Sequence, residues 1–235
     1  MNLYHADCLD VLRSMPDKSV DIVVTSPPYN TLPAKCKPSG MRAKYKTDKW
    51  QKKAASGYFD QRDEKEYQSW LREVVSECLR VSKGLVWINH KVRYRDGYAV
   101  HPIRFLDFPV YAEVIWDRRG SMALNCKRYA PSHECIIGFG TKHYWDDSLN
   151  TLMSVWRISP QRSEDHPCPF PLEIPKRLIQ SSCPPKGIIL DPFMGSGTTG
   201  LAAQMLGREF IGIEKDEVYY GLAKDRLTPA IDFAA

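Results

Sequence analysis

The sequence predicts an α/β domain in which helices cover both faces of a mostly parallel sheet. Short runs rich in β-branched residues alternate with segments whose apolar residues recur every three or four positions. One such run, residues 20–25, ends at a pair of prolines, and helical spacing is clearest at residues 64–81. Residues 187–226 pass through strand, glycine-rich turn, helix, strand and helix, which is the pattern of a β-α-β-α unit.

The remaining elements follow from the same two periodicities. Further strands are predicted at residues 84–89, 110–116, 135–139, 187–191 and 208–214. Further helices are predicted at residues 10–15, 172–180, 198–206 and 217–226. With 235 residues and 43% apolar side chains, the chain can form one sizeable core, so we expect a single domain over residues 1–235.

Positive charge is concentrated in one segment. The net charge is +5, yet residues 31–53 hold eight basic residues and one acid, so this segment carries +7 and the rest of the chain −2. We expect residues 31–66 to form a surface loop inserted after the first buried strand. Its cations could neutralise the phosphates of a nucleic acid, although a solvated loop explains them equally well. The candidate phosphate contacts are Lys35, Lys37, Arg42, Lys44 and Lys46.

The cysteines and the hydropathy pattern narrow the class of protein. Seven cysteines without any C-x-x-C pair favour a reduced protein over a disulfide framework or a zinc ribbon. The sequence contains neither a signal core nor an apolar run of about 18 residues, the length of a membrane span. The spacing of His133, Glu134, Cys135 and His166 is not that of zinc ligands, so we expect no metal site. We therefore expect a cytoplasmic protein without a membrane partner.

A glycine-rich turn, Gly195-Ser196-Gly197-Thr198-Thr199-Gly200, joins a predicted strand to a predicted helix. Glu214 lies 19 positions after the first of these glycines, where a carboxylate can accept hydrogen bonds from both ribose hydroxyls of a nucleoside. Asp191 can meet an amino group, and the two threonines at the helix start can meet a carboxylate. The motif alone fits both NAD and S-adenosylmethionine, but these details favour the amino-acid part of the second. A purely structural tight turn is the alternative.

The run Ser26-Pro27-Pro28-Tyr29 follows the first buried strand. The exocyclic amine of cytosine or adenine is a weak nucleophile because its lone pair is delocalised into the ring, so an enzyme needs acceptors that localise the pair on nitrogen. Ser26 Oγ and the Pro27 carbonyl can accept the two amine hydrogens, and Tyr29 can stack on a base that has left the duplex. Taken alone, the two prolines could simply end a strand.

Together, Thr25-Ser26-Pro27-Pro28-Tyr29 and Asp191-Pro192-Phe193-Met194-Gly195-Ser196-Gly197-Thr198-Thr199 resemble two motifs of the permuted amino-methylating DNA methyltransferases, in which the catalytic motif comes first. The resemblance implies a Rossmann-like fold with a mostly parallel seven-stranded sheet and one antiparallel strand. It also implies S-adenosylmethionine as cofactor, double-stranded DNA as substrate and a catalytic role for Ser26, Pro27, Pro28 and Tyr29.

Other segments extend the resemblance over most of the chain. Ala6-Asp7-Cys8-Leu9 is similar to the family's amino-terminal motif, residues 87–89, 114–116 and 128–134 to its intermediate motifs, and His166-Pro167-Cys168-Pro169-Phe170-Pro171 to its proline-rich motif. In the family, the first of these holds the adenine of the cofactor and the last lines the cofactor pocket. The implied cofactor contacts are Asp7, Cys8, His166, Phe170, Asp191, Phe193, Gly195, Ser196, Gly197, Thr198, Thr199 and Glu214.

Three questions stay open at the level of sequence. Permuted members often carry a long target-recognition region before the proline-rich motif, whereas residues 141–165 are a short candidate for it. Serine at position 26 favours cytosine N4 over adenine N6 as the methylated atom. A homodimer and a cognate restriction endonuclease are candidate partners.

The alternative functions are an NAD-dependent oxidoreductase, a non-catalytic DNA-binding subunit and a methyltransferase acting on RNA or protein glutamine. The run Asp117-Arg118-Arg119 is interpreted as a solvated strand end.

Overall fold

A computed structural model describes residues 1–30, 62–120, 129–160 and 171–228 of the chain. The strands in these ranges are β1 (Asn2–His5), β2 (Ile22–Thr25), β3 (Leu85–His90), β4 (Arg93–Arg95), β5 (Tyr98–Val100), β6 (Val110–Asp117), β7 (His133–Gly140), β8 (Val155–Arg157), β9 (Ile188–Asp191) and β10 (Glu209–Glu214). The helices are α1 (Cys8–Ser14), α2 (Glu64–Val81), α3 (Pro102–Leu106), α4 (Glu173–Ser182), α5 (Thr198–Met205) and α6 (Glu217–Leu227).

Eight of these strands form one sheet in the order β1-β10-β9-β2-β3-β7-β6-β8. Neighbouring strands are parallel except at β7, which runs antiparallel to both β3 and β6. The predicted α/β class, with a mostly parallel sheet and one antiparallel strand, is confirmed. The sheet has one strand more than the seven that the resemblance implies, because the short β8 pairs with the outer edge of β6.

Each face of the sheet carries its own apolar core. On one face, α1 and α2 pack on the sheet through buried residues such as Leu12 and Leu71. On the other face, buried residues such as Leu178 of α4 pack in the same cluster as Trp87 of β3. Every residue of β2 and β3 is buried. Coverage on both faces explains why these strands are nearly continuous apolar runs, without the alternation of a half-exposed strand.

The helix α2 occupies the predicted residues, Glu64–Val81. The carboxylate of Asp63 caps it by accepting hydrogen bonds from the backbone N–H groups of Lys65 and Glu66. Because the helix begins at Glu64, residues 64–66 are helical, and their assignment to the basic loop insertion was wrong. Residues 31–61 of that insertion, with all five predicted DNA contacts, lie outside the described ranges.

Several short elements were not predicted, namely β1, the β4–β5 ribbon, α3 and β8. Each has three to five residues, which is too few for a period of side-chain burial to emerge from the sequence. The predicted target-recognition segment, residues 141–165, contributes a 3₁₀ turn at Asp147–Leu149 and the edge strand β8. Its last residues, 161–165, are not described. No described helix combines the length and apolar character needed to cross a membrane.

Parallel strands place their carboxyl ends at one edge of the sheet. The ends of β2, β3, β9 and β10 therefore bring together Thr25, His90, Asp191 and Glu214. In open α/β sheets, ligands bind at this edge, where the order of the strands reverses. Both motifs singled out from the sequence lie there.

Candidate active site

The glycine-rich turn between β9 and α5 has a backbone that favours glycine. Gly195 and Gly197 have φ angles of 51° and 81°, in the left-handed region. A Cβ atom at Gly197 would also lie 2.9 Å from Leu227 Cδ1 of α6. A side chain at this position would strain the left-handed backbone and would require the Leu227 side chain to shift.

Glu214 ties the end of β10 to this turn. Its Oε2 accepts a hydrogen bond of 2.9 Å from the backbone N–H of Gly195, and its Oε1 accepts one of 2.8 Å from Asp216. Burial raises the pKa of its carboxyl group. Each carboxylate oxygen has a second lone pair, so Glu214 can still accept hydrogen bonds from two hydroxyl groups of a ribose.

Asp191 joins the two motifs. It is 3% exposed, and its Oδ1 accepts hydrogen bonds from Thr25 Oγ1 at 2.6 Å and from the backbone N–H of Phe193 at 3.0 Å. Burial raises its pKa to about 6. Because Thr25 precedes Ser26, this contact holds the start of the Ser-Pro-Pro-Tyr turn directly against the glycine-rich turn.

Asp7 caps the amino end of α1, and Cys8 is the first residue of that helix. Asp7 caps the helix by accepting from the Leu9 N–H at 3.0 Å, and Lys215 Nζ lies 3.0 Å from its other oxygen. Burial opposes ionisation of Asp7, but these two hydrogen bonds prevail and lower its pKa. The Cys8 side chain is buried in the core, which raises its pKa to about 12. Any ligand contact of Cys8 must therefore come from its backbone, as the resemblance implies.

Some of the remaining predicted cofactor contacts lie in the described part of the chain, and two lie outside it. Thr198 and Thr199 begin α5, where free N–H groups attract anions. Arg226 of α6 holds this region by donating to Thr198 Oγ1 at 3.1 Å and to the Ser196 carbonyl at 3.3 Å. The Phe193 ring packs edge-on against Trp70 at 5.6 Å. His166 and Phe170 lie in residues 161–170, which the structure does not describe.

The Ser-Pro-Pro-Tyr turn is held by buried polar groups on neighbouring elements. Ser26 Oγ lies 2.7 Å from the Tyr29 hydroxyl oxygen, and the Tyr67 hydroxyl donates to the Pro28 carbonyl at 2.7 Å. His90, which is fully buried, lies beside the Tyr29 ring with a centroid distance of 4.8 Å. Burial lowers the pKa of His90 to about 3, so this ring is neutral near pH 7. The turn is thus fixed at both ends and along one side.

Three residues of this site were missed as functional residues. Asn89 Nδ2 donates to the Tyr29 hydroxyl at 2.5 Å and to Glu134 Oε2 at 2.9 Å, and Arg118 Nη1 donates to Glu134 Oε1 at 2.9 Å. Arg118 follows the end of β6 and is part-exposed, as its interpretation as a strand end requires, but the pairing of β6 with β7 also brings it into an ion pair with Glu134, which the sequence did not indicate. Asn89 and Glu134 lie in segments that resemble intermediate motifs, which was the available signal.

A second polar cluster lies elsewhere, at the amino end of α3. Ligand atoms of His101, Glu113 and Cys135 lie within 4.8 Å of one another. His101 Nδ1 accepts the backbone N–H of Ile103 at 3.3 Å, so the hydrogen of the neutral ring is on Nε2. That hydrogen occupies the position a metal would need. Burial also raises the pKa of Cys135 to about 12, which opposes formation of a thiolate ligand.

The fold and the site define a Rossmann-like methyltransferase that uses S-adenosylmethionine. The strand-end carboxylates and the glycine-rich turn fit a nucleoside joined to an amino acid. The family model described as DNA methylase, covering the N6 and N4 methylases, matches residues 20–225. The chain therefore belongs to this DNA methylase family.

Individual relatives agree with this assignment. The chain is 28% identical over 265 residues to the type II methyltransferase M.BglII of Bacillus subtilis, covering 94% of this chain and 67% of that protein. It is 25% identical to M1.HpyAVI in complex with S-adenosylmethionine, with a TM-score of 0.62 and coverage of 96% and 99%. PvuII DNA methyltransferase, which is cytosine-N4-specific, has a similar fold, with a TM-score of 0.72, 19% identity and coverage of 96% and 86%.

Proposed function

We propose that this protein transfers a methyl group from S-adenosylmethionine to the exocyclic amine of a specific base in double-stranded DNA, with cytosine N4 as the favoured atom. The hydrogen bond of 2.6 Å between Thr25 and Asp191 is the observation that carries the proposal. It joins two motifs 166 residues apart and sets a group suited to an amine beside a turn suited to the cofactor.

The residues of the two motifs, together with Asp7 and Glu214, each have a defined role in this proposal. Asp7, Asp191, Glu214 and the glycine-rich turn with its threonines would hold the cofactor, which supplies an electrophilic methyl group when bound. Ser26 Oγ and the Pro27 carbonyl accept the two amine hydrogens and thereby localise the nitrogen lone pair. The base flips out of the duplex, and the Tyr29 ring stacks on it. These steps need no covalent intermediate.

The choice of cytosine rests on Ser26, since the resemblance associates serine at this position more often with cytosine N4. Adenine N6 is the alternative. The decisive experiment is to express the protein in cells that lack other methylation and to sequence their DNA by a method that separates N4-methylcytosine from N6-methyladenine. Modified cytosine in one sequence context is expected. Modified adenine would change the base, and unmodified DNA would overturn the proposal.

The wider setting follows from the relatives. The similarity to a type II methyltransferase supports a cognate restriction endonuclease as partner.

We also propose that the protein works in the reducing cytoplasm, because the four cysteines in the described ranges are buried free thiols. Sedimentation of the purified protein with and without DNA tests whether it forms a homodimer.

Asp191 gives a pH-dependent test of the cofactor site. Burial raises its pKa to about 6, whereas a cation bound beside it favours the ionised form. If Asp191 meets the amino group of S-adenosylmethionine, binding below this pKa must release a proton. We expect the affinity to fall by up to about tenfold for each pH unit below about 6. Calorimetry between pH 5 and pH 8 measures this slope.

The Asp191→Asn variant is the control for this prediction, because an amide cannot titrate. It should bind the cofactor weakly and without the slope that the wild-type protein shows below its Asp191 pKa. An affinity of the wild-type protein that does not change between pH 5 and pH 7 would remove Asp191 from the amino-group contact.

A further inference from the structure

We infer that Glu134, held by Arg118, is a positioning residue that turns the Ser26 hydroxyl into a hydrogen-bond acceptor for the target amine. The inference rests on the proposed function and adds to it the group that sets the direction of the hydrogen bonds. Glu134 is 5% exposed and lies on β7, the antiparallel strand next to β3. It reaches the Ser-Pro-Pro-Tyr turn through the hydroxyl of Tyr29.

The direction of each hydrogen bond follows from the hydrogens available. A carboxylate can only accept, so the Tyr29 hydroxyl donates its single hydrogen to Glu134 Oε2, at 3.0 Å. The Tyr29 oxygen can then act only as an acceptor towards Ser26 Oγ, 2.7 Å away. Ser26 must therefore donate its own hydrogen to Tyr29. The long contact from Asn89 Nδ2, at 3.4 Å, can use one lone pair of Ser26 Oγ, and the other remains available for an amine hydrogen of the base.

Asn89 reinforces the same direction. Its Nδ2 carries two hydrogens and donates them to the Tyr29 hydroxyl at 2.5 Å and to Glu134 Oε2 at 2.9 Å. The reverse orientation of the amide would point Oδ1 at the carboxylate and is therefore unfavourable. Asn89 Oδ1 is buried and has no hydrogen-bond partner in the described part of the chain. The amide is oriented by Glu134 even at the cost of an unsatisfied acceptor.

Arg118 holds the Glu134 carboxylate in the orientation that this arrangement requires. Its Nη1 donates to Glu134 Oε1 at 2.9 Å, and its guanidinium lies over the Trp116 ring at 5.4 Å. This ion pair directs Oε1 to Arg118 and leaves Oε2 for Tyr29 and Asn89. Burial and the nearby Glu134 charge raise the pKa of Tyr29 well above its usual value, so its hydroxyl keeps the hydrogen that it donates to Glu134.

An isosteric change can reverse this chain of hydrogen bonds. In the Glu134→Gln variant, Arg118 still donates to the oxygen of the side chain, so the amide NH₂ group faces Tyr29 and Asn89. The NH₂ group then donates to the Tyr29 oxygen, and the Asn89 amide turns so that its Oδ1 accepts from the same NH₂ group. The Tyr29 hydrogen is no longer held by a carboxylate and can be donated to Ser26, whose own hydrogen is then free to point at the base. A hydroxyl that donates to the amine lone pair weakens the nucleophile, whereas one that accepts an amine hydrogen strengthens it.

We expect Glu134→Gln to lower kcat by about 100-fold, the effect of losing one preorganised polar contact. The KM for S-adenosylmethionine and the Kd for DNA should stay within about twofold, since neither ligand depends on this hydrogen. The matched control is Glu113→Gln, a glutamate on the adjacent strand β6 that lies beside His101. Its kcat should be unchanged.

A double-mutant cycle separates positioning through Tyr29 from a structural role. In a Tyr29→Phe background the hydroxyl path from Glu134 to Ser26 is interrupted, and only the long contact of 3.4 Å from Asn89 to Ser26 remains. Adding Glu134→Gln should therefore lower kcat by less than about threefold. If Glu134→Gln fails to fold, Arg118→Gln tests the same path at a half-exposed side chain and should lower kcat about tenfold without raising the KM for the cofactor.

Two results would overturn the inference while leaving the proposed function intact. One is a Glu134→Gln or Arg118→Gln protein as active as the wild type. The other is a Glu134→Gln effect that remains about 100-fold in the Tyr29→Phe background, because a structural role would not pass through the phenol hydroxyl. A wild-type protein that methylates no DNA would overturn both the inference and the proposed function.

Discussion

Replacing Ser26 with alanine is expected to lower kcat for methyl transfer by about 100- to 1000-fold, as the loss of a preorganised hydrogen bond in a closed site does. The Ser26 hydroxyl contacts Tyr29 Oη at 2.7 Å and Asn89 Nδ2 at 3.4 Å, so its removal should leave the cofactor side intact. Single-turnover transfer of a labelled methyl group measures the rate, and calorimetry measures the affinity for S-adenosylmethionine, which should change by less than about twofold.

Ser76→Ala is the matched control, because Ser76 is exposed on α2 and lies outside the site. It should transfer methyl groups at the wild-type rate. Tyr29→Ala should resemble Ser26→Ala, with cofactor binding spared and transfer strongly reduced. Wild-type activity in either site variant would contradict the proposed mechanism. A loss of cofactor affinity that matches the loss of rate would instead place the residue on the cofactor side.

Replacing Lys35, Lys37, Arg42, Lys44 and Lys46 together with alanine is the second change with a large expected effect. If all five contact phosphates, DNA affinity at about 100 mM salt should fall by two or more orders of magnitude, because fewer counterions are released on binding. The slope of log K against log salt should become shallower by up to about 4.5, or about 0.9 for each lost contact. Fluorescence anisotropy at several salt concentrations measures both quantities.

The control for this change is Lys186→Ala. Lys186 precedes β9 and therefore lies at the amino edge of the sheet, away from the strand ends that carry the site. It should not alter the slope. If the variant with all five substitutions keeps the wild-type slope of log K against log salt, the basic segment does not contact DNA, and the DNA contacts lie elsewhere.

Much of the fold could be predicted because its main elements have strong local signals. The helix α2 shows a full stripe of apolar residues over five turns and an aspartate cap, so its limits agree with the prediction. Buried strands such as β2 stand out as β-branched runs. The missed β1 and β8 are short and partly exposed, and their pairing with the distant strands β10 and β6 makes them strands. The β4–β5 ribbon is a local hairpin, but each of its strands has only three residues, too few for a pattern to emerge.

The candidate site could be predicted only where its residues lie in compact sequence motifs. Ser26, Asp191 and Glu214 belong to compact motifs whose residue types point to their chemistry. Arg118 lies in a charged run that looks like any solvated strand end, and only the pairing of β6 with β7 brings it to Glu134. The roles proposed for the described motif residues remain predictions, as do those for the lysines, His166 and Phe170, which lie outside the described ranges.

The sequence by itself determined the α/β class and the order of the two motifs, because these depend on local periodicity and on residues adjacent in the chain. The class of cofactor came from the resemblance of both motifs to those of the methyltransferase family. The tertiary structure decided which polar groups surround Ser26. Tyr29 and Glu134 are 105 residues apart, and their contact exists because an antiparallel strand returns beside β3. The sequence already predicts Ser26 as an acceptor for an amine hydrogen. The group inferred to set this direction, Glu134, becomes visible only in the tertiary structure.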